Sequence, residues 1–265
     1  MPATSPWIER LSRIGILAKA VIYLSIGLLA TGVALNLGGA LTGARGVLHL
    51  LLDQPLGRAI LALLAFGLAA YTLWLFVQAF VDPDANGTSF VGLVNRLGQV
   101  ITGVAHGALT VEAVRLAAGL SGLVGGGVEA WVGRLFLAPY GVWLVGVAGA
   151  VVVVLGLIQI WRGLRGNVRR DWQLRALDPA KDRWQIRLGR FGLGVRGLVL
   201  AIAGALVIRA ARAFDPQQAG GVEDVLRALQ RQPASGWLLG TVGLGLAAYG
   251  CFALIEARYR FIPSA

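Results

Sequence analysis

The side chains best suited to chemistry are His106, Glu112 and Arg115, which interrupt a long apolar stretch of the chain. Glu112 and Arg115 are three residues apart, so on a helix they can pair on one face. His106 and Thr110 share a face one turn apart. An ionisable group inside a membrane helix predicts a proton relay or an ion site. The alternative is a paired charge that reaches the outer interface, because Arg115 lies towards that end of the helix.

Two other patterns lack the context that their chemistry needs. Residues 192–197 read Gly-Leu-Gly-Val-Arg-Gly, but a dinucleotide site needs a preceding strand and a helix N-terminus facing the pyrophosphate. His49 and Asp53 are one turn apart, yet two ligands are too few for a metal site. Cys251 is the chain's one cysteine, which excludes an intrachain disulfide and a cysteine-based metal site. We therefore expect no catalytic residues, metal or cofactor, and no enzyme.

The composition indicates a membrane protein. Of 265 residues, 57% are hydrophobic and 14% charged, whereas soluble domains carry about 25% charged residues. Six apolar runs each approach the length of about 20 residues that a helix needs to cross a bilayer. They lie at 14–35, 58–81, 98–120, 138–160, 191–212 and 236–257. Because spanning segments must satisfy their backbone hydrogen bonds internally, we predict an all-α protein with six transmembrane helices.

The six runs form three tandem copies of one unit. An arginine followed by leucine and a small residue opens each copy, at Arg10, Arg96 and Arg187, and a proline follows 45, 43 and 46 residues later. This repetition predicts three helical hairpins of one orientation around a pseudo-threefold axis. An apolar stripe in each connection predicts a short interfacial helix, and the proline is expected to start the second long helix. The predicted units are hairpins at 7–92, 93–167 and 184–262, with a basic cytoplasmic linker at 168–183.

Polar groups recur at matching places within the hairpins. Lys19 and Arg196 lie nine residues after the opening arginines of the first and third copies. Gln78 and Glu256 each follow a Gly-Leu-Ala-Ala-Tyr segment in the second helix, and Gln159 is their counterpart in the middle copy if three residues are deleted there. Charges at this depth are costly unless they are paired. We therefore predict a structural contact between Arg196 and Glu256, within the third hairpin.

The basic residues predict the orientation in the membrane. Of the 24 lysines and arginines, 16 fall on the side of the chain termini and eight on the other side. The eight are Arg45, Arg58, Arg115, Arg134, Arg209, Arg212, Arg227 and Arg231. The positive-inside rule then places both termini in the cytoplasm. The basic loop at 162–190 favours acidic lipid headgroups as partners over nucleic acid, because acidic residues and tryptophans are interspersed in it.

The chain resembles the domain-of-unknown-function 1206 family. The resemblance rests on the Arg-Leu openings, Lys19 and Arg196, the Gln-Pro pairs at 54–55 and 232–233, and the two Gly-Leu-Ala-Ala-Tyr segments followed by Gln78 or Glu256. It spans about residues 7–262 and implies a bacterial integral membrane protein with three tandem two-helix repeats, which we expect in the plasma (inner) membrane. The middle copy departs from the pattern, since it has Ala-Pro at 138–139 and contains Glu112.

Two classes of function follow from this reading. The first is an integral membrane protein with a structural or interaction role, or one that binds lipid. The alternative is a small transporter or channel with a proton or ion site around His106, Glu112 and Arg115. Sparse polar residues within the helices favour the first class, because a water-filled path usually needs more of them. A second copy of the chain or another membrane protein remains open as a partner.

Overall fold

The structure, a computed structural model, describes residues 6–83, 87–120, 126–165 and 183–259. Within these ranges the chain is helical, and six long helices pair into three hairpins with one short helix in each connection. The long helices are α1 (Pro6–Ala34), α3 (Gly57–Phe80), α4 (Phe90–Ala117), α6 (Gly141–Arg165), α7 (Arg183–Ala213) and α9 (Ser235–Tyr259). The short helices are α2 (Ala44–Leu52), α5 (Val128–Phe136) and α8 (Val222–Gln230), and a 3-10 turn at Pro216–Gln218 precedes α8.

All six long helices are long and apolar enough to cross a membrane. Their most apolar windows have mean hydropathies between 1.3 and 2.6. This confirms the predicted all-α fold with six membrane-spanning helices. The predicted linker at 168–183 lies outside the described residues except for its last residue.

The long helices form a closed ring in chain order. Each packs against the next, and α9 packs against α1 to close the ring. The closest packing is at the junctions between repeats, where α3 meets α4, α6 meets α7, and α9 meets α1. Packing within a repeat is looser, and it is sparsest between α4 and α6 of the middle repeat. The cyclic order is that of the predicted pseudo-threefold arrangement.

The short helices cover one end of the ring. The α2 helix packs on α1, α3 and α4, α5 packs on α6, and α8 packs on α7 and α9. Their apolar stripes face inward, as Val47, Leu48, Val132, Val225 and Leu226 are buried. We call this the capped end, and the end that carries residues 9 and 259 the terminal end. That the short helices lie in the membrane interface remains a prediction.

The prolines in the connections do not start the second long helices as predicted. After each proline comes one residue with a left-handed backbone: Leu56, Tyr140 and Ala234 have φ values of 61°, 60° and 64°. The helix then begins at the next residue, Gly57, Gly141 or Ser235. The proline therefore lies in the turn after the short helix, and the left-handed residue that follows it directs the chain into the long helix.

Glycines permit the close junctions between repeats. A Cβ atom on Gly197 of α7 would lie 2.6 Å from the carbonyl oxygen of Gly156 in α6, and one on Gly204 would lie 2.8 Å from that of Gly149. Such approach of two backbones is open to glycine alone, and it maximises dispersion contacts where lipid provides no hydrophobic driving force. These glycines therefore allow the close packing between the second and third repeats.

Candidate functional site

Three arginines join the repeats at the terminal end. In each repeat, an arginine of the first long helix donates to C-terminal carbonyls of the preceding repeat's last helix. These bonds run from Arg13 Nη1 to Arg258 O (3.0 Å), from Arg96 Nε to Ala79 O (2.7 Å) and from Arg190 Nε to Gly163 O (2.9 Å). The last carbonyls of a helix lack partners within the helix and carry its negative dipole end, so a guanidinium stabilises them. We call these three residues the junction arginines.

The junction arginines define a register that differs from the one predicted. Equivalent residues are Arg13, Arg96 and Arg190, so the alignment of Arg10 and Arg187 with Arg96 was wrong by three residues. Both candidates occur in the first and third copies, and the Arg-Leu-small pattern favoured the exposed ones. The bond to the neighbouring helix identifies the equivalent ones.

A glycine two residues later confirms this register. Gly15 and Gly192 lie against the backbones of Tyr71 and Tyr249, the tyrosines of the two Gly-Leu-Ala-Ala-Tyr segments. In the middle repeat Gly98 lies against the side chain of Leu155. Leu155 therefore stands where the other repeats have a tyrosine. The glycine-rich stretch at 192–197 lies inside α7 and serves helix packing.

The next turn of the first helices brings Lys19 to the centre of the ring. Lys19 Nζ donates to Glu256 Oε2 at 2.8 Å, and the two side chains are 2% and 0% exposed. The ammonium also lies 5.4 Å and 5.5 Å from the ring centroids of Tyr71 and Tyr249. Both rings present their π faces to a desolvated cation, which is attractive. Glu256 thus pairs across the junction of α9 with α1.

Arg196 is the equivalent of Lys19 in the third repeat, and the predicted pair of Arg196 with Glu256 is not formed. Arg196 Nε donates to Tyr23 Oη at 3.0 Å, and Nη1 donates to Gln159 Oε1 at 2.5 Å. The guanidinium carbon lies 4.8 Å from the Tyr249 centroid and 5.3 Å from that of Tyr23. The prediction failed because each cation has its carboxylate or amide partner on the last helix of the preceding repeat, where packing is closest. It contacts the second helix of its own hairpin through a tyrosine ring instead. Gln159 thereby occupies the place of Glu256, as the three-residue deletion implied.

These residues form a group, buried except for the partly exposed Gln159, that we call the ionic core: Lys19, Tyr23, Tyr71, Gln159, Arg196, Tyr249 and Glu256. Among the residues that the structure describes, it holds two cations and one carboxylate, because the group opposite Arg196 is the neutral amide of Gln159. Burying an uncompensated charge costs several kcal/mol even after the surroundings relax. Phenol and amide dipoles and the aromatic faces reduce this cost but carry no charge. The ionic core is therefore suited to a further anion.

His106 borders the ionic core and stands apart from Glu112. It is the equivalent of Tyr23, and its ring meets Tyr71 edge-on at 4.9 Å just as Tyr23 meets Tyr249 at 4.8 Å. Its Nδ1 lies 2.9 Å from the carbonyl oxygen of Thr102. His106 also lies within the electrostatic influence of Lys19 and Arg196. It thus belongs to the layer of tyrosines around the two cations.

Glu112 lies towards the capped end and binds α2. Arg45 Nη2 donates to Glu112 Oε2 at 3.2 Å, and His49 Nε2 lies 3.6 Å from Oε1. Glu112 is buried, whereas the side chain of His49 is half exposed. Arg115 follows in the last turn of α4, and the carboxylate turns to α2 rather than to it. The predicted group of His106, Glu112 and Arg115 is therefore divided, and Glu112 forms a latch for a short helix.

Sequence reasoning missed the tyrosines of the ionic core. Tyr71 and Tyr249 were used only as markers of the repeat, and Tyr23 was not considered. A signal was present, because Tyr23 is one turn after Lys19 on the same helix face. This signal belongs to repeat one, because Leu200 stands at the corresponding place after Arg196 in repeat three.

Three segments of the chain match the profile of the family described as Domain of Unknown Function (DUF1206), at residues 14–82, 97–166 and 191–260. Each segment begins directly after a junction arginine, so the matches have the register that the contacts define. Over 257 residues the chain is 28% identical to "Uncharacterized protein YxxB" of Bacillus subtilis (strain 168), which covers 97% of this chain and 93% of that protein. No solved structure matches the chain.

Proposed function

The chain belongs to the family described as Domain of Unknown Function (DUF1206), and from this premise we propose that it is a non-catalytic membrane protein that binds an acidic lipid at the ionic core. The resemblance read from the sequence is confirmed by three matched repeats, and the six apolar helices make it a multi-pass membrane protein. The family carries no activity to transfer. The proposal therefore depends on the side chains of this chain.

The observation that carries the proposal is the charge of the ionic core. Lys19 has a carboxylate partner, whereas the hydrogen-bond acceptors of Arg196 are a phenol and an amide. Arg196 is 9% exposed, so water screens its charge little. A guanidinium in this state binds phosphate or carboxylate oxygens through geometrically matched, charge-assisted hydrogen bonds. An acidic headgroup would supply the missing negative charge.

A purely structural role explains the ionic core less well. Well-packed apolar residues of similar volume are often as stable as a buried ion pair, or more stable. A scaffold would therefore gain nothing from a second cation that has no carboxylate. Intramembrane charges that persist in this way mark binding or transport sites.

Binding of lipid by the intact protein tests the proposal. We would reconstitute the protein in nanodiscs containing phosphatidylglycerol and phosphatidylcholine, and measure by native mass spectrometry which lipid it retains on release from the disc. We expect selective retention of phosphatidylglycerol. Gln159→Glu should abolish the selectivity, because a carboxylate at the place of the Gln159 amide would itself supply the negative charge that the headgroup brings to Arg196.

Arg231→Gln provides the matched control, because Arg231 is exposed near the capped end and outside the ionic core. Like Gln159→Glu, this variant lowers the net charge of the protein by one, but it should keep the selectivity. If Gln159→Glu retained phosphatidylglycerol as well as the wild type, the ionic core would not be the binding site.

Transport of protons or ions is a second candidate, favoured by the position of His106. This titratable side chain contacts Tyr71 beside the two cations, so it could exchange a proton within the ring. Reconstituted protein should then dissipate a pH gradient across liposomes, and His106→Phe should abolish that flux. Glu112→Gln should leave the flux unchanged, because Glu112 binds α2.

We also propose that both termini face the cytoplasm and that the protein lies in the bacterial plasma membrane. The excess of basic residues on the terminal side supports this orientation. Contact of the basic loop at 162–190 with acidic headgroups is part of the same proposal, although its residues 166–182 lie outside the described residues. In a Cys251→Ala protein, a cysteine placed at Gly87 should resist a membrane-impermeant thiol reagent in intact cells, whereas one placed at Gly38 should react.

A further inference from the structure

The ring is least closed between the two helices of the middle repeat, and we call this junction the α4–α6 seam. These helices pack more sparsely than any other neighbouring pair in the ring. In the most apolar window of each, 22% of the residues are buried, against 56% in α1 and α9 on the opposite side. The two helices touch near the terminal end, where Gly98 packs against Leu155.

The surroundings of the ionic core become accessible at this seam. The charged residues from the first and third repeats, Lys19, Arg196 and Glu256, are buried. By contrast, Thr102 and His106 of α4 are only partly buried, and so is Gln159 of α6. Among these described polar residues, the partly exposed ones thus belong to the middle repeat.

The substitutions in the middle repeat explain this asymmetry. Thr102 stands where the other repeats have Lys19 and Arg196, and Leu155 stands where they have a tyrosine. A threonine and a leucine fill less space than a cation and a phenol ring. At these two positions the middle repeat therefore contributes neither a cation nor a tyrosine ring to the surroundings of Arg196 and Gln159.

We infer that the α4–α6 seam is the lateral entrance through which an acidic membrane lipid brings its headgroup to Arg196. This inference rests on the function proposed above and adds the route and the lipid source. The seam lies between two spanning helices, so it opens to acyl chains rather than to water. The lipid's tails can therefore stay in the bilayer while the headgroup enters.

The depth of the ionic core fits such a lipid. Lys19 and Arg196 lie five residues inside the apolar runs that begin at 14 and 191, which is about 8 Å along a helix. A headgroup at the terminal end needs to descend only by that amount. The short helices α2, α5 and α8 cover the other end of the ring, so the proposed route runs along the terminal half of the seam.

A disulfide across the seam tests the entrance. In a Cys251→Ala background, Gly98→Cys with Leu155→Cys would join α4 to α6, because a Cβ on Gly98 would overlap the Leu155 side chain and so lies within disulfide reach. The matched control is Ala34→Cys with Gly240→Cys on the opposite side of the ring, where the Cβ atom of Ala34 would lie 3.7 Å from a Cβ on Gly240.

The measurement is the exchange of bound phosphatidylglycerol for deuterated phosphatidylglycerol in nanodiscs. We expect the oxidised seam variant to exchange about tenfold more slowly, since closing an access route acts on the rates of entry and release. Reduction should restore the rate, and the control disulfide should leave it unchanged. Equal rates with the seam disulfide open and closed would overturn the inference, as would equal slowing by both disulfides.

Two further results separate the sources of failure. If the protein without disulfides retained no phosphatidylglycerol, the proposed function itself would be wrong. If inorganic phosphate displaced the lipid from both the oxidised and the reduced seam variant, a free anion reaching the ionic core from water would replace the lateral lipid entrance. If the protein kept its phosphatidylglycerol in the presence of phosphate, and if the seam disulfide slowed lipid exchange, both results would support the lateral entrance.

Discussion

Lys19 and Arg196 occupy equivalent places in the ring, yet one faces a carboxylate and the other an amide. Each reaches the last helix of the preceding repeat, where Lys19 meets Glu256 and Arg196 meets Gln159. The two cations therefore have equivalent positions but partners of different charge. Because the geometry is shared, substitution of Glu256 or of Gln159 tests the effect of one carboxylate at a time.

Removing the carboxylate should destabilise the protein. Glu256→Leu leaves the Lys19 ammonium buried without its counter-ion, and breaking a buried pair in this way costs about 3–5 kcal/mol. Thermal unfolding in detergent, followed by circular dichroism, should show a large fall in Tm. The double variant Lys19→Met, Glu256→Leu should recover most of the loss. A double variant as unstable as the single one would show that the pair does not act as a unit.

The junction arginines should matter where their exposed neighbours do not. Arg13→Ala removes donors from the C-terminal carbonyls of α9 and should cost about 1 kcal/mol. Arg10→Ala, three residues away and exposed, should change the free energy of unfolding by less than about 0.5 kcal/mol. The same contrast is expected for Arg190→Ala and Arg187→Ala. Equal effects within either pair would contradict the register that the contacts define.

Two glycines on one helix should respond differently to alanine. A Cβ on Gly192 would clash with the backbone of Tyr249, whereas one on Gly194 would meet nothing within 4 Å. Gly192→Ala should therefore destabilise the protein by about 1–3 kcal/mol through overpacking. Gly194→Ala should be neutral or stabilise the helix by up to about 1 kcal/mol. Chemical unfolding in mixed micelles would measure both, and a reversed order would refute the close approach of α7 and α9.

The latch at the capped end should control the mobility of α2. Glu112→Gln weakens the bonds to Arg45 and His49, so backbone amides at 44–52 should exchange hydrogen faster. Phosphatidylglycerol selectivity should stay unchanged, since Glu112 lies outside the ionic core. Hydrogen exchange by mass spectrometry checks the first expectation, with peptides from α8 as the internal reference. Unaltered exchange in α2 would mean that its apolar stripe alone holds it in place.

Hydropathy and repetition were enough to predict the helices and their cyclic arrangement. Runs of about 20 apolar residues have one stable backbone form in lipid, and three copies of one hairpin favour a symmetric bundle. The partner of Arg196 was predicted wrongly because spacing along the chain places Arg196 at a depth on α7 but does not fix the helix that it faces. The same depth fits Glu256 on α9 and Gln159 on α6. Contact across a junction depends on which helices approach most closely, and that depends on glycines whose partners a single sequence does not name.

The division of His106 from Glu112 also escaped the sequence. The two residues are six apart and share a helix, so proximity along the chain made them one group. On a helix, six residues correspond to about 600° of rotation, so the two side chains point about 120° apart. They therefore point to different neighbours, with His106 on Tyr71 and Glu112 on α2.

The pair of Lys19 with Glu256 joins residues 237 positions apart, and this separation constrains how the protein is made. If helices enter the membrane in order of synthesis, the lysine arrives in the first and its carboxylate in the last. Until then, the ammonium must reach for headgroup water, which its flexible side chain allows from about 8 Å of depth. Insertion of α9 therefore supplies the carboxylate that neutralises the Lys19 ammonium within the membrane. The pairing of this charge is thus coupled to closure of the ring.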